Sequence, residues 1–144
     1  MGKLNGYGGR IENENSFQCM QREFFEESGA SVDLGNLSCV GNICFWAGAS
    51  VIEARLVSKC AIFLIKNWSG DMVETDEMGP PIEFRIDELP FSEMMAPDHL
   101  WLKNVLLGKN RVSGSIYLST DMSLVIASAL IFKQVLRTKK KTWF

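Results

Sequence analysis

An α/β fold is the class this sequence predicts, and three observations predict it. Apolar runs with strand character recur along the chain. Two segments carry helical spacing, and the two kinds of segment are interleaved. No linker, internal repeat or low-complexity tract interrupts them, so residues 1–144 are expected to form a single domain, long enough to bury a core.

The elements follow in order. Gly2, Gly6, Gly8 and Gly9 make an opening loop of permissive backbone. Asn15 or Ser16 is placed to cap a helix that runs to about Ser28, with Gly29 as its stop. Phe17, Met20 and Phe24 fall at i, i+3 and i+7 and form its core stripe. Residues 37–47 and 53–66 read as strands joined by Gly48-Ala49-Ser50. A polar loop over residues 68–78 carries Glu74, Asp76 and Glu77. Pro80-Pro81 then punctuates, and residues 82–86 read as a further strand. Residues 98–107 have helical spacing, with Leu100, Trp101, Val105 and Leu106 inward and Gly108 as the stop. Residues 112–118 are strand-like, and residues 124–132 and 135–139 read as two β segments turned at Lys133-Gln134.

Composition excludes several functions. A hydrophobic fraction of 47% with 22% charged residues is that of a soluble globular chain. The net charge of −2 gives no bulk attraction to nucleic acid or to anionic membranes, and Lys139-Lys140-Lys141 is the only basic run. The longest apolar run, residues 124–132, is too short to span a bilayer as a helix. Cys19, Cys39, Cys44 and Cys60 lack C-x2-C spacing, which favours reduced thiols in a cytoplasmic protein over a metal cluster or a disulfide framework. A single histidine, His99, excludes multi-histidine metal sites.

Chemistry concentrates in the first helix. Glu23, Glu26 and Glu27 lie at i, i+3 and i+4, and each close pair of like charges costs a few tenths of a kcal/mol even when exposed, about 0.2–0.5. Arg22 can relieve or orient only part of that charge. Taken alone, the cluster reads either as a solvated acidic face or as a site for a hard divalent cation such as Mg²⁺, which binds few carboxylates together with phosphate oxygens and water.

From Gly8 to Gly29 the chain reads G-x5-E-x7-R-E-Φ-x-E-E-x-G, which resembles the signature of the Nudix hydrolases. Ala30 stands where that signature ends in a larger aliphatic residue, and the loop before Glu14 is one residue short when the glycine pairs are aligned. The resemblance implies an α/β/α-layered fold with a mixed sheet. It implies an enzyme that uses Mg²⁺, with Mn²⁺ as the alternative ion, to cleave a nucleoside diphosphate linked to a further group. It makes Glu23, Glu26 and Glu27 metal ligands, the Gly8 carbonyl a further ligand, and Arg22 the residue that orients a glutamate. Glu77 corresponds to a distant acid that completes the metal and water site.

Family members place a strand hairpin before the signature, whereas only seven residues precede Gly8 here. Residues 124–141 followed by Trp143-Phe144 have the order of that missing piece. Joining Phe144 to Met1 would restore a continuous family sequence through Lys139 and Trp143 to Asn5-Gly6-Tyr7-Gly8-Gly9. A circular permutation is the expectation, and permutation at surface loops is physically tolerated.

Within the family the likeness is closest to the MutT-like oxidised-purine nucleoside triphosphatases. Residues 40–45, 73–78 and 89–94, followed by Pro97-Asp98 and Trp101, match in order. The resemblance implies hydrolysis of oxidised purine triphosphates such as 8-oxo-dGTP to the monophosphate and pyrophosphate. Asn5 and Asp98 would read the purine edge, with Phe45, Met95, Trp101, Trp143 and Lys139 as the remaining substrate contacts. Met95 replaces a stacking tryptophan, and Pro97 replaces the first of two aspartates. Two further readings follow: hydrolysis of another nucleoside diphosphate derivative, such as a dinucleotide or an ADP-sugar, or a module that binds nucleotide without cleaving it.

Overall fold

The computed structural model describes residues 3–134. Residue contacts divide the chain into two units: Met1–Cys39 with Ala61–Met95, and Val40–Cys60 with Ala96–Phe144. The expected second β segment from residue 135 onward lies outside the described residues, as do Lys139 and Trp143.

In the first unit, helix α1 (Ser16–Ser28) starts at a reciprocal capping box. Asn15 Oδ1 accepts the Gln18 N–H at 2.8 Å, and Gln18 Oε1 accepts the Asn15 N–H at 3.0 Å. The helix stops at Gly29, whose φ of 78° needs glycine and whose N–H donates to the Phe25 carbonyl. Phe24 is 2% exposed in a core with Ala30, Val32 and Leu37, and Tyr7 meets its ring edge-on at 5.5 Å. Burying one such side chain contributes roughly 1.5–3 kcal/mol. Phe17, expected in the core, is 38% exposed, because it sits in the first turn at the rim, where one ring, Phe63, packs on it.

The described strands form one mixed sheet in the order β2-β1-β3-β4. These are β1 (Leu37–Ala47), β2 (Arg55–Ile65), β3 (Asn110–Leu118) and β4 (Val125–Gln134). In the second unit β3 runs parallel to β1, from Gly41 opposite Val112 to Ala47 opposite Leu118. β4 is antiparallel to β3, from Asn110 opposite Gln134 to Leu118 opposite Val125. Gly114, at φ 137°, lets the strands close: a methyl there would overlap the Ala129 carbonyl.

Three expectations are corrected. Residues 82–86 are not a strand. Pro80 and Pro81 have no N–H to donate, and Ile82, Phe84 and Ile86 are exposed, so the apolar alternation has no partner to pair with. The helix expected over residues 98–107 is a 3₁₀ turn, Ala96–Leu100, then a short helix α2 (Leu102–Leu106). Trp101, at φ −135° and ψ −31°, leaves the helical region between them, and Lys109, not Gly108, takes the left-handed conformation beyond. Lys133 and Gln134 do not turn. Both remain in β4 opposite Arg111 and Asn110, where the described part of β4 pairs back on β3 as a hairpin. This hairpin is local to β3 and β4, an arrangement that an unpermuted chain order also produces.

Candidate active site

Helix α1 sets out the acidic residues of the first unit, and their environments differ sharply. Glu27 faces inward at 7% exposure, and one carboxylate oxygen accepts the Gly8 N–H at 2.6 Å. Burial pushes its carboxyl up, the Gly8 hydrogen bond opposes this, and the charges of Glu23, Glu77 and Glu26 push it further up. Glu23 is half-buried and Glu26 exposed.

Arg22 is the hub. Its guanidinium donates to Glu14 at 2.6 Å, to Glu23 at 2.9 Å, to Glu26 at 3.1 Å and to the Arg10 carbonyl at 3.0 Å. These bonds to Glu14 and Glu23 push the Arg22 pKa up, and the same guanidinium holds the Glu14 carboxyl below the usual range. Gly9 packs against the Glu23 carboxylate so closely that a methyl on Gly9 would overlap it.

A second segment completes the arrangement. Residues 73–78 dock on the end of α1, where helix carbonyls lack partners of their own. The Val73 N–H donates to the Ser28 carbonyl at 2.8 Å, and the Thr75 hydroxyl donates to the Glu27 carbonyl at 2.8 Å. Glu77 is thereby brought to the helix: carboxylate oxygens of Glu23, Glu26 and Glu77 lie within 4.8 Å of one another. Three hard oxygen donors this close, with one guanidinium shared among Glu14, Glu23 and Glu26, fit a divalent cation well. Without one, their mutual repulsion is only partly offset.

The structure thus brings together Glu23, Glu26 and Glu77, with Arg22 bonded to the first two. Glu27 is not one of this trio and is tied to Gly8 through the glycine's N–H. Asn5 is exposed in the first unit, and its side-chain oxygen accepts the Gly6 N–H at 2.9 Å. Met95 is 37% exposed. In the second unit Phe45 is half-buried on β1 and Asp98 is half-buried in the 3₁₀ turn. Trp101 is half-buried, and its indole N–H has no acceptor among the described residues.

Sequence reasoning assigned no role to three residues of the site. Glu14 anchors Arg22, and its signal was its fixed offset in the signature. Gly9 leaves room for Glu23. Thr75 holds the acidic loop, and nothing in the sequence marks a loop hydroxyl for that purpose.

No family model matches the chain. Over 114 residues, 78% of this chain and 68% of the other, it is 41% identical to an oxidised purine nucleoside triphosphate hydrolase of Danio rerio. It is 33% identical over the same length and shares to the Mus musculus protein of that name. Its fold resembles the crystal structure of a mutator MutT protein from Bacillus halodurans, with a TM-score of 0.72 at 23% identity, covering 90% of this chain and 82% of that one.

Proposed function

This chain belongs to the MutT-like Nudix hydrolases, and on that premise we propose that it is a Mg²⁺-dependent nucleoside triphosphate pyrophosphohydrolase acting on oxidised purine nucleotides such as 8-oxo-dGTP. The observation that carries the reading is the convergence of Glu23, Glu26 and Glu77 within 4.8 Å, from two separate segments. The names of the two curated relatives supply the substrate class.

Glu23, Glu26 and Glu77 would hold the cation, with Mn²⁺ as a substitute and the Gly8 carbonyl and Glu27 as further donors. The cation supplies charge neutralisation for phosphate oxygens and a lowered pKa for water. Arg22 fixes Glu23 and Glu26 by direct hydrogen bonds, so neither must reorganise during the reaction. Water would attack the α-phosphorus and expel pyrophosphate, or attack the β-phosphorus and expel the nucleoside monophosphate; either way the α–β anhydride bond breaks and the same two products form. The attacking water's proton goes to an exposed carboxylate, Glu26 or Glu77. Asn5, Phe45, Met95, Asp98, Trp101, Lys139 and Trp143 are the proposed base and phosphate contacts. Trp101 contributes a buried N–H that a substrate oxygen or nitrogen could satisfy.

A cytoplasmic setting belongs to the same reading. The four cysteines form no disulfide, and no helix among the described residues is long and apolar enough to cross a membrane.

The test is pyrophosphate release from 8-oxo-dGTP and dGTP, with Mg²⁺ and then with EDTA. Release from 8-oxo-dGTP that EDTA abolishes is the expected result. Turnover of a dinucleotide or an ADP-sugar instead would replace the substrate, and nucleotide binding without turnover would make the chain a binding module.

A further inference from the structure

Residues 73–78 belong to no helix or strand, yet Glu77 meets Glu23 and Glu26. Charge does not draw it there, because the three carboxylates repel one another. Val73 fixes the start of the loop through its N–H bond to the Ser28 carbonyl, and the bonds nearest Glu77 converge on one hydroxyl. Thr75 Oγ1 donates to the Glu27 carbonyl at 2.8 Å and accepts the N–H groups of Glu77 and Met78, each at 3.3 Å. The Thr75 N–H donates to the Met78 carbonyl at 2.9 Å and closes the turn. A hydroxyl has one proton and two lone pairs, and all three are engaged here.

We propose that Thr75 is the positioning residue of the carboxylate site: its hydroxyl ties the backbone of Glu77 to the last turn of α1, so that the Glu77 carboxylate reaches Glu23 and Glu26. This rests on the reading of those three glutamates as ligands of a divalent cation. Thr75 touches neither cation nor substrate in this role. Its effect is to remove the freedom of the loop before the cation arrives, so that binding need not order it.

The experiment is calorimetric titration of the whole protein with Mn²⁺ alone, without nucleotide. It compares wild type, Thr75→Val, Thr75→Ser, Glu77→Gln and the double variant Thr75→Val/Glu77→Gln, each monitored by circular dichroism. Valine keeps the shape and removes the hydroxyl, whereas serine keeps the hydroxyl. Thr75→Val is expected to weaken Mn²⁺ binding at least tenfold with an unchanged circular dichroism spectrum, and Thr75→Ser to stay within twofold of wild type. The double variant should bind no more than twofold weaker than Glu77→Gln alone, since both changes remove the same ligand.

Thr75→Val that binds like wild type overturns the proposal, as does Thr75→Ser that is tenfold weak. Thr75→Val that unfolds also overturns it, because the hydroxyl would then hold the fold and not the ligand. Failure of the underlying reading looks different: Glu77→Gln would itself bind Mn²⁺ like wild type.

Discussion

Glu27 and Glu77 are chemically the same residue in opposite settings. Glu27 is buried and bonded to the Gly8 amide, while Glu77 is exposed on a loop. Burial raises the Glu27 carboxyl, so the folded chain favours its protonated form. The stability linked to that preference is complete below the unfolded carboxyl value, about 4.3, and is lost as pH rises through the raised folded value. Metal-free Glu27→Gln is therefore expected to melt above metal-free wild type at pH 7.5, with the gap closing as pH falls toward about 4. The same variant should lose at least about 100-fold in turnover while keeping its circular dichroism spectrum. Wild-type turnover in that variant would remove Glu27 from the site. Glu14 has the opposite sign: Arg22 lowers its carboxyl, so its contribution is present above the unfolded value and disappears as pH falls through the folded one. The acidic cluster was legible from spacing alone, but which carboxylate turns inward was not. Positions i, i+3 and i+4 share one surface, and only tertiary packing decides which of them is covered.

At the scale of elements, α1 was readable because its start, its stop and its stripe agree with one another. Asn15→Ala removes the cap and is expected to cost about 1 kcal/mol of stability, measured by urea unfolding. An unchanged midpoint would show that tertiary contacts alone hold the first turn. β1 was readable to the residue, because its apolar run ends at the loop Gly48-Ala49-Ser50, and the structure starts it directly after a tight turn, Leu34–Asn36. Residues 82–86 misled because apolar spacing says which residues are able to face a core, not whether a partner exists. Over residues 98–107 the inward residues were right, and only the backbone break at Trp101 was not legible. Gly114 is the converse, a need invisible in sequence that the pairing of β3 with β4 imposes. Gly114→Ala adds a strained φ and an overlap with the Ala129 carbonyl, and should cost at least about 1–3 kcal/mol by the same measurement.

For the molecule as a whole, the mixed sheet was legible through the family resemblance and not through hydrophobic pattern, since apolar alternation does not reveal whether neighbouring strands are parallel. The break between β3 and β4 was readable, since residues 112–118 and 124–132 stand apart as separate strands in the sequence. Ser119, Asp121 and Ser123 bond one another there through Asp121 Oδ1, and those hydroxyls hold the Asp121 carboxyl at about 2. Divalent cation is expected to raise the melting temperature of the protein in a concentration-dependent way, by about 2.7 kcal/mol of stability at 100 times its dissociation constant. Most of that gain should vanish in Glu77→Gln, and a full gain there would place the cation elsewhere. The docking of residues 73–78 also gives the molecule a built-in reporter. The Val73 amide is engaged by the Ser28 carbonyl at the end of α1, so it trades hydrogen for deuterium only when the loop lifts from the helix. Its exchange rate counts the moments when the enzyme stands unready, with no substrate present and no turnover needed.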